Sequence, residues 1–155
     1  MANPSKAKGT SAESAVVKYM RLNGFGGADR QPLRGNRDAG DIGLTAGIVI
    51  EVKAHKSAGT GQPAAGQLFD WMAQAECERV NAGAAMCPLI VKRSGTLDVG
   101  RWWAYMTAAD TAQLLNGAPL WIEHPHAGAP ICMSVAAMVS FLRSNGYGDP
   151  LEQAS

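Results

Sequence analysis

Long apolar runs, clustered cysteines and nucleotide-binding loops are all missing from this sequence of 155 residues. No apolar stretch approaches the ~20 residues that a membrane-spanning helix needs, and the N-terminus lacks the apolar core of a signal peptide. Three cysteines, far apart and odd in number, argue against both a metal-ligand motif and a fully paired disulfide framework. We found no internal repeat and no Ser/His/Asp arrangement. We therefore expect a cytoplasmic protein with reduced thiols and no membrane insertion.

Charge is nearly balanced over the whole chain but is unevenly distributed along it. The net charge is +1; residues 1–56 hold nine Lys/Arg against five Asp/Glu, or +4, whereas residues 57–155 hold five against eight, or −3. The length fits one domain, and a hydrophobic content of 46% allows a real core. A polyanion would therefore be attracted to the first third of the chain.

Apolar residues alternate at period two between Asp41 and Lys53, which is typical of half-buried strands. Thr45-Ala46-Gly47 interrupts the alternation and predicts a three-residue hairpin loop. In that register Leu44 faces Ile48, Ile42 faces Ile50, and Asp41 faces Glu51. A two-residue loop would shift the register by one and would turn one apolar set to the wrong face.

The polar face of this hairpin is the strongest candidate for a functional site. Asp41, Glu51 and Lys53 share it, and two opposed carboxylates repel each other unless a cation joins them. Carboxylates beside a lysine are typical of a divalent-metal phosphodiesterase site. The alternative is a charged, solvated outer face. The apolar run around Glu51 predicts a central strand, where an unpaired charge is costly, and this favours a site.

Residues 1–9 are predicted to be a flexible basic arm, followed by a single domain over residues 10–144 and a loose tail over 145–155. Thr10-x-x-Glu13 matches a capping box, so Glu13 could simply cap the first helix. Further elements are expected as a strand over 25–33, helices over 64–81, 108–115 and 135–143, and strands over 86–91, 101–107 and 120–123. This order describes a compact α/β domain with a mixed central sheet.

A cationic loop over residues 34–40 precedes Asp41. Arg30, Arg34 and Arg37 have the guanidinium geometry that clamps phosphates; a solvated loop, with Arg37 partly neutralised by Asp38, explains them equally well. His124-Pro125-His126 is weak evidence for a metal pair. Trp102 and Trp103 are neighbours on a strand, so we expect one in the core and the other against a helix or a subunit interface.

Asp41 followed by Glu51-Val52-Lys53 resembles the pattern of the PD-(D/E)xK nuclease superfamily, whose fold is that of type II restriction endonucleases. A wider set of motifs over roughly residues 6–143 resembles the archaeal-type Holliday junction resolvases, stand-alone relatives of which occur in tailed phages. These motifs are Lys8-Gly9-Thr10-x-x-Glu13, Gly24-Phe25, Arg30, Ile50-Glu51-Val52-Lys53, Gly66-Gln67-Leu68, Leu89-Ile90-Val91-Lys92 and Val99-Gly100-Arg101-Trp102.

The resemblance implies a restriction-endonuclease-like fold and a role for each matching residue. Glu13, Asp41 and Glu51 would bind or organise Mg²⁺, which Mn²⁺ could replace, and the Val52 carbonyl would complete the metal shell. Lys53 would position the attacking water or stabilise the charged phosphate. Gln67 would support the site from a helix. Phosphate contacts are expected from five basic residues: Lys8, Arg30, Arg34, Arg37 and Lys56.

The implied function is resolution of four-way DNA junctions by paired symmetric nicks, made by a homodimer in a prokaryotic host or its phage. The dimer surface would use an exposed Trp102 or Trp103. Two alternatives stay open: another PD-(D/E)xK nuclease acting on flaps, nicks or ends or in repair or restriction, and an inactive DNA-binding module. The sequence departs from the family by Gly40 in place of a proline and by the absence of serine from residues 31–40.

Overall fold

A computed structural model of the protein describes residues 4–32, 38–54, 61–117 and 125–151. Within these residues the chain forms four α-helices, a short 3₁₀ turn at Val99–Arg101 and six strands. The helices are α1 (Pro4–Leu22), α2 (Ala65–Ala82), α3 (Ala108–Asn116) and α4 (Val135–Ser144). The strands are β1 (Asp29–Arg30), β2 (Ile42–Thr45), β3 (Ile48–Lys53), β4 (Leu89–Val91), β5 (Trp103–Thr107) and β6 (Pro130–Ser134).

The six strands form one mixed sheet in which spatial order follows chain order. Every neighbouring pair is antiparallel except β3 and β4, which are parallel. A parallel pair needs a long crossover connection, and α2 supplies it. The predicted α/β class with a mixed central sheet flanked by helices is therefore confirmed.

Helices cover both faces of the sheet. The larger core lies under α1 and α4, where Val16, Met20, Ile50 and Leu142 are fully buried. The smaller core lies under the first half of α2, whose Leu68, Trp71 and Met72 pack against β4 and β5. None of the helices in the described ranges is long and apolar enough to cross a membrane.

The β2–β3 hairpin confirms part of the predicted register. Ile42 pairs with Ile50 as expected, but Thr45 rather than Leu44 pairs with Ile48, across a two-residue turn at Ala46-Gly47. Gly47 has φ +82°, which a two-residue hairpin turn favours. A bulge between Gly43 and Thr45 absorbs the extra residue. The bulge restores the alternation of inward and outward side chains, so Ile42 and Leu44 both stay buried.

The N-terminal prediction was wrong for residues 4–9, which are helical. Helix α1 begins at Pro4, not at Thr10, and proline is common in the first turn because its missing N–H has no partner there. Thr10 is consequently an interior helical residue, and the capping-box role of Glu13 is excluded. The first strand is also shorter than predicted, because β1 contains only Asp29 and Arg30.

The C-terminal segment is not loose as far as Asp149. One Arg143 guanidinium nitrogen, Nη1, donates to the carbonyls of Gly24 (3.1 Å), Tyr147 (3.0 Å) and Asp149 (2.6 Å). The Asp149 N–H donates to the Gly24 carbonyl at 2.7 Å, and the Asp149 carboxylate accepts from the Gly26 N–H at 2.8 Å. The segment after α4 is thus attached to the turn between α1 and β1.

Most of the remaining element predictions are confirmed, although the strand expected over 86–91 is shorter, because β4 contains only Leu89–Val91. The helices expected over 64–81, 108–115 and 135–143 correspond to α2, α3 and α4, and the hairpin partner over 101–107 is β5. Strand β6 was not predicted, since it begins with a proline and has no apolar alternation. The strand predicted over 120–123 lies outside the described residues, as does His124 of the proposed histidine pair.

Candidate functional site

The predicted carboxylates and lysine come together under α2. Glu51 and Lys53 project from the same face of β3, and Lys53 Nζ lies 2.7 Å from Glu51 Oε1. Glu51 is only 3% exposed. Asp41 lies one residue before β2 and accepts a 2.8 Å hydrogen bond from the Val52 N–H through Oδ2. The hairpin therefore places two acids and one base at the start of β2 and the end of β3.

Gly40 explains the missing proline. Its φ is +92°, and a Cβ built there would lie 3.2 Å from Cβ of Val49. Proline is restricted to φ near −65° and could not adopt this conformation. The chain therefore approaches Asp41 through a left-handed glycine that packs closely on β3. Gly40 therefore fits this backbone conformation, which a proline at the same position could not adopt.

Helix α2 adds a glutamine that links the charged groups. Gln74 Oε1 accepts a 2.8 Å hydrogen bond from Lys53 Nζ. Gln74 Nε2 donates to Glu51 Oε1 at 3.2 Å and to Glu78 Oε1 at 2.9 Å. Because its oxygen faces the cation and its nitrogen faces both acids, the orientation of the amide is fixed by its partners.

Glu78 is a site residue that the sequence reasoning missed. It is 3% exposed, and its Oε2 has no hydrogen-bond partner among the described residues. Burying a carboxylate oxygen without a partner is costly. A signal was available, because Glu78 follows Ala75 by three residues on the buried stripe of α2. A charge on the apolar stripe of a helix indicates a polar site beneath it.

Gln67, the helical position that the resemblance favours, is not the glutamine that contacts the site. It lies in the first turn of α2, two turns before Gln74. The first half of the helix packs on β4 and β5 through Leu68 and Trp71, and only the second half reaches Glu51 and Lys53. Sequence spacing alone cannot separate the two glutamines, because they are seven residues apart and share a helical face.

Both acids of the hairpin hold protons unusually tightly. Burial, followed by repulsion from Glu51, raises the pKa of Asp41 to about 7 against the opposing hydrogen bond from Val52. Burial and the neighbouring Glu78 raise the pKa of Glu51 to about 8, although Lys53 acts in the opposite direction. Perturbed carboxyl groups of this kind cluster at functional sites.

Glu13 and Arg30, two further predicted residues, bind each other. Glu13 Oε2 lies 2.9 Å from Arg30 Nε and 2.8 Å from Nη2, which is a charge-assisted contact at the rim of the site. The charge of Glu13 also contributes to the raised pKa of Asp41, so the two acids lie near each other. Arg34, Arg37, Lys56 and the side chain of Lys8 lie outside the description.

Trp102 and Trp103 lie on opposite sides of the sheet, as expected for neighbours on a strand. Trp102 is 2% exposed in the larger core, whereas Trp103 packs with Leu68 and Trp71 under α2. Trp102 is therefore not exposed, whereas Trp103 is half-buried, and a dimer surface at an exposed tryptophan stays a prediction. The apolar residues that α2 exposes most are Phe69 and Val80.

Chemically, the site is a desolvated set of carboxylates with one ammonium group. Within the described residues no group of three or more His, Cys, Asp or Glu has the geometry of a complete metal cage. No family model, curated protein or solved structure matches the chain. Any function must therefore be argued from the residues and their geometry.

Proposed function

We propose that the protein is a Mg²⁺-dependent DNA endonuclease of the PD-(D/E)xK kind, acting on four-way junctions as a homodimer. One observation carries the proposal. Asp41, buried Glu51 and Lys53 converge at the hairpin, with Lys53 Nζ 2.7 Å from Glu51. Asp41, Glu51 and Glu78 give this pocket three carboxyl groups against one ammonium group, and burial, followed by the neighbouring acids, raises the pKa of both Asp41 and Glu51.

The donor set fits Mg²⁺. Magnesium prefers oxygen ligands, keeps several waters, and is usually held by one or two carboxylates and substrate phosphates, not by an all-protein cage. Asp41 and Glu51 would hold it, with the Val52 carbonyl as a further ligand. The unpartnered Oε2 of Glu78 marks a deficit of positive charge beside them. When bound, the ion would supply a Lewis acid and lower the pKa of a coordinated water.

The protein's own groups have distinct tasks in this proposal. Lys53 places a positive charge where the phosphate becomes more negative during hydrolysis. Gln74 holds Nζ of Lys53 from one side while Glu51 holds it from the other. A lysine held by two partners loses less rotamer freedom when the substrate arrives, which is the basis of preorganised catalysis.

The fold supports the proposal at a coarser level. A helix, three antiparallel strands, a crossover helix and a parallel fourth strand follow one another from α1 to β4, which fits the order expected from the resemblance. Two symmetric nicks in a junction require two sites at a fixed separation, which a two-fold dimer provides. Recognition of the DNA would rely mainly on its backbone and shape.

Cleavage of a synthetic immobile four-way junction in Mg²⁺ tests the function. Linear duplex and a Y-fork serve as control substrates, and Asp70→Asn, which changes an exposed carboxylate on α2, is the matched control for Asp41→Asn. We expect paired nicks near the branch from the wild type and from Asp70→Asn. Asp41→Asn should be at least ~10²-fold slower, because it removes a group that holds the cation.

The other outcomes distinguish the competing functions. Equal cleavage of all three substrates would retain the nuclease and exclude junction selectivity. Tight DNA binding with no cleavage in Mg²⁺ or Mn²⁺ would indicate an inactive binding module. Neither binding nor cleavage would refute the proposal as a whole.

A further inference from the structure

A second cationic surface lies at the end of β4. Residues 92–97, here called the β4–β5 basic loop, begin with Lys92 and Arg93 and line a surface depression of about 450 Å³. The sequence predictions gave no role to either side chain in binding. The loop follows the strand that runs parallel to β3, so its position relative to the candidate site can be derived from the sheet register.

The parallel register brings the loop to the edge of the candidate site. Lys53 pairs with Val91, and the Lys92 N–H donates to the Lys53 carbonyl at 2.8 Å. The carboxyl ends of parallel strands meet at one edge of a sheet. The basic loop therefore begins at the same edge at which β3 presents Lys53.

Side-chain alternation places Arg93 on the same face as Lys53. Lys92 approaches the ring of Trp102, in the larger core, at 5.8 Å. Arg93 lies 4.6 Å from the ring centre of Trp103, which packs under α2 on the face that holds the carboxylates. Arg93 follows Val91 by two residues, roughly 7 Å along the strand direction at about 3.3 Å per residue.

Lys92 and Arg93 differ from the two other arginines near the site in having no carboxylate partner among the described residues. Arg30 is bound to Glu13, and Arg79 to Glu76. Lys92 and Arg93 have no carboxylate within ion-pair distance in the part of the chain that the structure describes. A guanidinium stacked on an indole keeps its edge N–H groups available for a planar, bidentate acceptor such as phosphate.

We propose that the β4–β5 basic loop binds backbone phosphates of the DNA on the strand that leaves the candidate site past Lys53. Arg93 takes the phosphate nearest the site, and Lys92 takes one on the other side of the sheet edge. This inference rests on the proposed function and adds the path of the substrate. Because the contacts are to phosphates, the loop contributes affinity without sequence preference.

The test is DNA binding by the full chain in EDTA, measured by fluorescence anisotropy across a salt series. Lys92→Gln and the double variant Lys92→Gln/Arg93→Gln are compared with the wild type. Lys18→Gln is the matched control, since it removes one exposed lysine on α1, outside the β4–β5 basic loop. Lys92→Gln leaves the Arg93–Trp103 stack intact, and this guards against a folding defect in the double variant.

We expect the slope of log affinity against log salt to fall by about 1 in Lys92→Gln and about 2 in the double variant. The loss of DNA affinity relative to the wild type should become smaller as salt increases, by about threefold per lost contact between 50 and 200 mM salt. Lys18→Gln should match the wild type. Equal weakening on linear duplex and on junction would agree with a phosphate contact.

Two results would overturn the inference, and they are distinguishable. If the wild type binds and cleaves DNA but the loop variants keep its affinity and salt slope, the loop is not a contact and the proposed function stands. If the wild type neither binds nor cleaves any DNA, both the loop contact and the proposed function fail.

Discussion

The two faces of β3 have opposite characters although they belong to one six-residue strand. Ile48, Ile50 and Val52 point into the larger core beneath α1 and are at most 7% exposed. Glu51 and Lys53 point the other way, toward α2, and meet Gln74 and Glu78. One face supplies apolar burial, which stabilises the fold. The other holds buried charge, which costs stability and is typical of functional sites.

This difference teaches where the strand tolerates change. Glu51 is as deeply buried as several core residues, so burial alone does not distinguish a structural position from a functional one. The partners distinguish them: carbon atoms surround Ile50, whereas polar groups surround Glu51. Substitutions on the apolar face should therefore lower stability, whereas those on the polar face should alter activity and its pH dependence.

The largest expected effect on stability is on the apolar face. Ile50→Ala removes a fully buried side chain and should lower the free energy of unfolding by about 3 kcal/mol, through lost burial and the cavity left behind. Urea unfolding followed by circular dichroism measures it. Ile131→Ala, on the exposed edge strand β6, is the control. A loss below ~1 kcal/mol for Ile50→Ala would contradict the contrast between the two faces.

A substitution on the polar face should raise the free energy of unfolding, opposite to the loss expected for Ile50→Ala. The Glu51 carboxyl is protonated in both states below pH ~4, but its pKa is raised to about 8 in the folded state. Between these values the folded state alone keeps the proton, so wild-type stability falls as pH rises. The amide of the Glu51→Gln variant does not titrate, so its stability lacks this dependence on pH. In EDTA its stability relative to the wild type should rise by about 2 kcal/mol from pH 5 to pH 8, within the limit of about 1.4 kcal/mol per pH unit that one titrating group sets.

Urea unfolding at pH 5 and pH 8 checks the sign. Glu76→Gln is the matched control on α2: Arg79 lowers the pKa of that exposed carboxyl, so its removal should bring no gain at pH 8. A Glu51→Gln protein that loses stability relative to the wild type as the pH rises would show that Glu51 is ionised and well paired in the folded state.

The smallest expected effect separates two glutamines of one helix. Gln74→Ala removes the amide that holds Lys53 and should slow DNA cleavage by about tenfold, which corresponds to about 1.4 kcal/mol of barrier. Gln67→Ala should cleave at the wild-type rate. Single-turnover cleavage of the junction measures both. A reversed order would move the supporting role back to Gln67.

Much of this architecture could be predicted from local pattern. The period-two alternation around Ile50 and the Gly47 turn specify the hairpin, and α2 follows from its apolar stripe. The alternation also put Glu51 and Lys53 on one face, since strand side chains change sides at every residue. These features depend on short-range geometry, which a single sequence contains.

The missed features depend on contacts between distant residues. Glu78 reaches the site only because α2 crosses back over β3. Its place on the buried stripe of α2 indicates a polar site, but not that Glu51 and Lys53 lie there. The bulge at Gly43–Thr45 compensates a two-residue turn, and both arrangements satisfy the same apolar pattern. The attachment of Asp149 to Gly26 spans 123 residues of sequence. In each case tertiary packing outweighed local preference.

The attachment of residues 143–149 to the turn after α1 constrains the order in which the protein can fold during synthesis. The turn after α1 exposes the Gly24 carbonyl and the Gly26 N–H, and their partners are Arg143 and Asp149. A ribosome adding 5–20 residues per second needs on the order of ten seconds to proceed from Gly26 to Asp149. Throughout that interval water must satisfy these two groups, so the turn after α1 gains its protein partners only after residues 143–149 have left the exit tunnel.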